Sequence, residues 1–519
     1  MSALIPLPVS PRPHVGVKDM AGSGAALRER CDVVVVGSGP AGAVAAKELA
    51  EAGRDVVLLE EGRPWGRHDF VLDPGEALQR TVREGGTRAA RGSAWLPTMQ
   101  AIGLGGGSLI NSAICARPPA WVFDRWAQRC GTRSVTLDAL VPHFERVETQ
   151  LEVQPTDERV QGERNLRFKR GCDALGLASE PTWRNASGCL GSAECFTGCR
   201  NGAKRSLDVT YVPAAIRAGA RVYCSVRAER VVAEGRRARA LRGHIVRPPL
   251  GEPCGEVEIE ARAVVLAAGC MASPIILARS GLGGRSGWLG RDLQFHPGLA
   301  MMALFPERID PWTGATQGYH SLSYLDQGLK LEVLWAPPGV LAARLPGIGH
   351  DYQHELRRYA HLAPFDVIAA CERSRGTVRP RGGSWDPEIR FELHPQDFAL
   401  LQRGLGILAD ICWAAGAEAI LPGLHGIPEM LRSPSEAEIL RTRRLRPADA
   451  IMAANHAFGT TRMSREPGQG VVDELGRCHD MDNVYVADTG IFSGSSAVNP
   501  MLTCMALADR VAGAVGASL

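Results

Sequence analysis

Six consecutive residues, Gly37-Ser38-Gly39-Pro40-Ala41-Gly42, match the pattern G-x-G-x-x-G, and an acid, Glu60, stands about 20 residues further on. These residue types at this spacing suit the holding of a dinucleotide. Gly37 makes a tight turn, Gly39 lets backbone approach a pyrophosphate, and Gly42 lets a helix pack on a strand. Pro40 and Ala41 stand at the start of that helix, whose positive end faces the phosphates. Glu60 is placed to hold a ribose hydroxyl. These residues alone do not choose between NAD and FAD. A second cluster, Cys189, Cys195 and Cys199, is spaced C-x5-C-x3-C. Thiolates from one loop are what an iron–sulfur cluster or a zinc ion needs. No fourth cysteine nearby completes a zinc site, and no C-x-x-C-H segment offers a haem to receive electrons. The segment therefore reads first as a structural loop without metal, with a cluster on the three cysteines as the alternative.

The elements that must position the glycines are legible around them. Val33 to Val36 is a short, β-branched run and reads as a buried parallel strand. Ala45 to Leu49 are good helix formers, Gly53 is a helix stop, and Asp55 to Leu59 reads as the next strand, ending on Glu60. The chain has 519 residues, enough for large cores and two domains. A hydrophobic content of 45% with 22% charged residues is that of a globular protein, and a net charge of +3 gives no strong pull toward nucleic acid or an anionic membrane. No clean apolar run reaches spanning length; the nearest, Ala263 to Ala278, is broken by Gly269, Ser273 and Pro274. The first 30 residues carry no secretion signal pattern and read as a proline-rich arm. Fourteen cysteines without such a signal imply reduced, mostly buried thiols and a cytoplasmic setting.

Residues 31–283 are rich in glycine and short β runs, such as Arg221–Val226 and Ala263–Leu266, with helical insertions around 65–100 and 130–205. Residues 284–445 carry more proline and aromatic residues, and the strand and glycine signals return over 446–519. This organisation implies a discontinuous, Rossmann-like α/β domain whose last strand and helix come from the C-terminus, with a second domain inserted. Helical periodicity over Phe398–Ala414, at Leu400, Leu401, Leu405 and Leu408, reads as core packing.

Four blocks in order carry a family resemblance. The first is the glycine fingerprint with its Leu-Leu-Glu-Glu-Gly end. The second is Gly103-Leu-Gly105-Gly106-Gly-Ser108-Leu-Ile110-Asn111. The third runs from Gly269-Cys270 through Ser273-Pro274 to Gly283. The fourth joins Asn455-His456-Ala-Phe-Gly459-Thr460-Thr-Arg462-Met463, Val486-Ala-Asp488-Thr-Gly490 and Ser496-Ala-Val-Asn499-Pro500. The chain resembles the glucose–methanol–choline (GMC) family of FAD-dependent oxidoreductases along nearly its whole length. The glycine loop looks most like that of bacterial cholesterol oxidases, and Trp385–Arg390 and Gly416–His425 look like long-chain alcohol oxidases. Cys270 departs from the small or hydroxyl residue the family prefers there.

The resemblance implies FAD, an inserted α+β substrate domain on an antiparallel sheet, and oxidation of an alcohol to an aldehyde or ketone. His456 falls where the family's base falls, and histidine suits a base near neutral pH. Asn499 falls at the second catalytic position, where an amide can hold the hydroxyl, although it could also serve as an ordinary helix N-cap. Pro500 and Met501 open a helix whose positive end would face the flavin N1–C2=O edge. Gly105, Gly106, Ser108, Asn111, Val231, Ala268, Gly269, Asp488 and Gly490 are the further cofactor residues it implies. Members with covalent flavin carry histidine where Ile110 stands, so dissociable FAD is expected. The segment Cys195-Phe-Thr-Gly-Cys199-Arg-Asn-Gly202-Ala203-Lys204 resembles a loop in long-chain alcohol oxidases. Glu332, His354 and His425 could also reach the site. An apolar long-chain or cyclic alcohol is the expected substrate, with dioxygen or a quinone- or dye-type carrier as electron acceptor. The alternatives are a non-redox lyase or decarboxylase on the same scaffold, or a dehydrogenase passing electrons through an iron–sulfur cluster.

Overall fold

Valines 33–36 and 56–57 and leucines 58–59 have almost no exposed surface, as expected of strands covered on both faces. They lie in a computed structural model that describes residues 14–247, 251–335, 338–342, 345–382 and 384–519. The strands Leu27–Val36 and Val56–Leu59 run parallel, joined by the helix Pro40–Glu51. Around this unit a sheet forms in the order Val17–Asp19, Arg221–Cys224, Val56–Leu59, Leu27–Val36, Glu252–Leu266, Arg237–Arg247, Val226–Glu234. The first five strands are parallel, and the last three form an antiparallel meander. Val484–Val486 pairs in parallel with Glu252–Leu266, so the C-terminal segment joins the same sheet. Residues 1–13 of the expected arm lie outside the described residues; beyond them, Val17–Asp19 adds an edge strand.

A second sheet is antiparallel throughout, in the order Ala419–Leu421, Gly298–Leu304, Leu362–Ala369, Leu329–Val333, Tyr319–Ser321, Glu180–Pro181, with Met452–Ala453 also on Gly298–Leu304. Its two short pairings at 180–181 and 452–453 come from outside residues 284–445. The helix Pro395–Ala414 buries Leu401, Leu405 and Leu408 in the core formed with this sheet, while Leu400 is half-buried. A third sheet sets Arg291–Phe295 between Ala457–Phe458 and Arg375–Arg379. The last helix, Met501–Ser518, belongs to the same core as Pro40–Glu51. The fold is the α/β architecture expected: a Rossmann-like sheet whose chain is interrupted by an antiparallel one.

Close approach explains why glycine occupies position 42. A Cβ there would sit 1.7 Å from the carbonyl oxygen of Gly37. Gly42→Ala must therefore displace backbone at the helix start. The expected outcome is a loss of about 1–3 kcal/mol, seen as a lower urea midpoint, together with a reduced flavin-to-protein ratio on purification.

Candidate active site

The C-terminal ends of the parallel strands open on a cavity of about 420 Å³. At one end it is lined by Gly37, Gly39, Pro40, Ala41 and Glu60, and at the other by His456, Asn499, Pro500 and Met501. Backbone forms much of the wall between them. A Cβ on Gly106 would lie 2.6 Å from the Cα of Gly39, and one on Gly37 would lie 2.4 Å from the carbonyl oxygen of Ala267. Gly105 and Gly106 both take positive φ, at 98° and 53°.

At the fingerprint end, the Glu60 carboxylate is partly occupied by the chain itself. It accepts from the Ser38 amide at 3.0 Å and hydroxyl at 2.6 Å, and from the Gly62 amide at 2.8 Å. The same Ser38 oxygen accepts from the Gly105 amide at 3.0 Å, tying the two glycine loops together. Glu61, Arg83, Arg227 and Trp385 also line this end, and none was singled out by its spacing in the chain. Arg83 bonds Glu61 at 2.6 Å, and Arg227 and Arg279 stack over the faces of Trp385 at 5.3 and 5.0 Å. Burial works to raise the Glu61 carboxyl, but Arg83 first and then Arg227 outweigh it and hold it below the usual range.

Two helix N-termini reach the cavity. Pro40–Glu51 begins after Gly39, Met501–Ser518 begins after Pro500, and neither has a capping side chain or an acid in its first turn. Their uncompensated amides present positive ends, suited to a pyrophosphate and to a ring edge that gains negative charge. Asn111 links the glycine loop to the second helix: its Nδ2 donates to Met501 Sδ at 3.0 Å, and its Oδ1 accepts from the Ala113 amide. Lys204 braces this loop from behind, donating to the carbonyls of Leu109, Asn111 and Cys195. Asp488 lines the cavity; it accepts from the amides of Gly269 and Gly490 and from Ser273 Oγ. Burial pushes its carboxyl up against those bonds.

At the far end, Asn499 Nδ2 stands 3.5 Å from His456 Nε2. Asn499 is not a cap, because Pro500 holds the capping position and the Asn499 oxygen accepts from Lys330 Nζ at 2.6 Å. Lys330 also bonds Glu332 at 2.5 Å, and both are buried. His456 Nδ1 lies 3.3 Å from His296 Nδ1, and His296 Nε2 lies 2.6 Å from Ser495 Oγ. The pairing of Ala457–Phe458 with Gln294–Phe295 brings the two histidines together. Burial foremost, with Lys330 in the same sense and Glu332 opposing, pushes His456 down to about 4. His296 is pushed well down by burial, then by His456 and Lys330.

Five of the cofactor residues named from the sequence do not line the cavity. Gly42, Gly105 and Ser108 support its walls, with Ser108 bridging the Gly105 carbonyl and the Leu207 amide. Gly490 packs against Thr461. Val231 bonds Ser280 through its amide, and Val226 to Ala228 of the same strand line the cavity instead. Ala268 and Gly269 line it as well. Glu332 does not line the cavity but bonds Lys330 beside it, whereas His354 and His425 are exposed. Cys189, Cys195 and Cys199 share a separate, water-sized cavity with Arg184 and Lys204; Arg184 donates to Cys195 Sγ at 3.0 Å. Among the described residues no group of His, Cys, Asp or Glu is arranged to hold a metal ion. Likewise, no helix among them is long and apolar enough to cross a membrane.

A glycine-rich dinucleotide cradle and a buried histidine–amide pair lining one cavity are the arrangement of a dinucleotide-dependent oxidoreductase. Comparison with known proteins narrows that class. The GMC oxidoreductase pattern matches residues 78–298 and 372–508, and an FAD-binding-domain pattern matches 32–70. A GMC-type oxidoreductase of Mycobacterium tuberculosis is 34% identical over 486 residues, covering 93% of this chain and 75% of that protein. A long-chain-alcohol oxidase of Arabidopsis thaliana is 26% identical over 95% of this chain and 69% of its own. The solved pyridoxine 4-oxidase of Mesorbium loti superposes with a TM-score of 0.70 at 20% identity, over 93% of this chain and 99% of its own. The chain belongs to the GMC oxidoreductase family.

Ile110 lines the cavity beside the glycine loop and offers no nucleophile to a flavin. Acid precipitation of the holoprotein is therefore expected to leave all FAD absorbance in the supernatant. Yellow colour remaining in the washed pellet would mean a covalent link.

Proposed function

We propose that this enzyme oxidises an apolar alcohol at its CH–OH carbon to an aldehyde or ketone, with His456 as the base and Asn499 as the residue that holds the hydroxyl. The observation that carries this reading is the His456–Asn499 pair, both members lining one cavity with the fingerprint. FAD, when bound, supplies the acceptor for the hydride that leaves the carbinol carbon. Gly37 to Gly42 and Glu60 would hold its adenosine diphosphate end, Asn111, Asp488 and the start of the Met501–Ser518 helix its ring end. Residues 31–283 and 446–519 would thus serve the cofactor and residues 284–445 the substrate.

The chain's own work is proton management. A neutral His456 accepts the hydroxyl proton at Nε2, while Asn499 Nδ2 donates to the substrate oxygen and keeps it against the ring. Burial keeps His456 neutral, so the base is ready across the neutral range. The charged liners Glu60, Glu61, Arg83 and Arg227 gather at the fingerprint end. Ile110, Ile114, Phe196, Leu334 and Trp335 also line the cavity, beside the polar Gln100, Ser112, Gln317 and Asn455 and the acid Asp488, and these apolar side chains support an apolar substrate. The similarity to a long-chain-alcohol oxidase supports the same class. The acceptor in the oxidative half-reaction is dioxygen or a quinone-type carrier.

An anaerobic panel of long-chain and cyclic alcohols tests the activity: one of them should bleach the bound flavin. Cleavage of a substrate without bleaching would instead mark a lyase. His456→Ala should keep its flavin and slow bleaching by about 10²–10⁴-fold; retention of most of the rate would remove His456 from the role of base. The protonated ring cannot accept, so kcat/KM should hold steady down to about pH 5 and fall as pH drops through about 4. An acid limb near 6.5, the ordinary imidazole value, would contradict the burial of this group.

A further inference from the structure

At the catalytic end every donor and acceptor points one way, and the direction starts at Lys330. This residue is fully buried on the strand Leu329–Val333, and its ammonium has only protons to give. It donates to Glu332 Oε2 at 2.5 Å and to Asn499 Oδ1 at 2.6 Å. The second bond settles which way the amide faces: Nδ2, with two protons and no lone pair, is turned toward His456 Nε2. Two facing donors would repel, so Nε2 carries a lone pair and the ring proton sits on Nδ1. That proton meets His296 Nδ1, which accepts, and His296 Nε2–H then donates to Ser495 Oγ. Reversing the chain at any member sets two protons, or two lone pairs, face to face.

We propose that Lys330 is the positioning residue that sets this polarity: through Asn499 it holds His456 in the tautomer whose Nε2 lone pair faces the cavity. It acts indirectly, because it does not line the cavity itself. Its ammonium also polarises the Asn499 amide, making Nδ2–H a better donor to a substrate oxygen that gains negative charge. Glu332 is the counter-charge without which a buried ammonium would be very costly. The inference rests on the proposed roles of His456 and Asn499, and adds what orients them.

The test uses flavin-loaded protein labelled with [15N]histidine, the His456 signals being assigned by their loss in His456→Ala. In the unaltered protein the His456 Nε2 resonance should lie at the unprotonated position and Nδ1 at the protonated one. Lys330→Met with Glu332→Gln removes both charges, so no buried ion is stranded. That pair should mix the two tautomers and slow flavin reduction about tenfold or more. In an Asn499→Ala background the same pair should change the rate less than about twofold, because its effect travels through the amide. A tautomer unaltered by the loss of Lys330, or equal rate losses with and without Asn499, would overturn the proposal. If the methionine pair loses its flavin, Lys330→Leu with Glu332→Gln, which likewise leaves no donor at position 330, is judged by the same two criteria. Should no alcohol bleach the unaltered enzyme, the proposed activity fails, while the histidine spectra still decide the role of Lys330.

Discussion

In the parallel sheet, hydrogen-bond register sets Val36 beside Leu59 on one side and Leu266 on the other, and Leu266 beside Val486. Four strands drawn from three distant parts of the chain therefore stop at one level. The segments that follow them, Gly37–Gly42, Glu60–Gly62, Ala267–Gly269 and Ala487–Asp488, leave the sheet along one edge and bring Gly37, Glu60, Ala267 and Asp488 to one cavity. Backbone bonds continue the register past the strands, from Ala267 to Val36, Gly37 to Leu59 and Ala487 to Leu266. Register comes in discrete steps, and a slip of one residue would exchange the side chains packed on a strand's two faces. With both faces covered by apolar packing, no slipped arrangement is tolerated, and the loops are held at fixed spacing.

The edge is crowded enough that backbone must do what side chains usually do. Gly106 meets Gly39 without room for a Cβ of its own. The polar groups so brought together satisfy one another: Glu60, Ser38 and Gly105 form one network, and Asp488, Gly269 and Ser273 form another. Buried donors and acceptors without partners would each be costly, so these networks make the cradle rigid before any cofactor arrives. That rigidity is preorganisation, and it spares the bound nucleotide the ordering of its own site.

The end that holds His456 and Asn499 is assembled differently. His456 reaches His296 through a two-residue strand pairing, Lys330 arrives from the antiparallel sheet, and Asn499 comes from the turn before the last helix. No two of these elements are neighbours in the chain. A buried ion pair is weak support for stability, since apolar residues of the same shape often do as well. Lys330 and Glu332 make sense instead as a device of orientation: a fixed charge at one end of a hydrogen-bond chain leaves its members a single arrangement.

The dinucleotide site is legible in the sequence because it lies within one strand–helix–strand unit, where distance along the chain is distance in space. Gly37, Gly39, Gly42 and Glu60 could be read by spacing alone, and the resemblance of the later blocks named His456 and Asn499 as partners. Arg83 and Arg227 escaped notice because they enter from separate segments and carry no local pattern. Val231 shows how a small irregularity defeats position-by-position transfer: a register shift between Ala228 and Arg230 separates it from the cavity-lining part of its own strand. Lys330 is the sharpest case. Leu329-Lys330-Leu331-Glu332-Val333 carries no motif that marks Lys330, yet its side chain is buried between Asn499 and Glu332. The sequence by itself determined the strand–turn–helix that cradles a nucleotide, since local sterics and helix dipoles are enough for that. Only the tertiary structure decided which way the amide and the imidazole point, because that polarity depends on a charge brought in from another sheet.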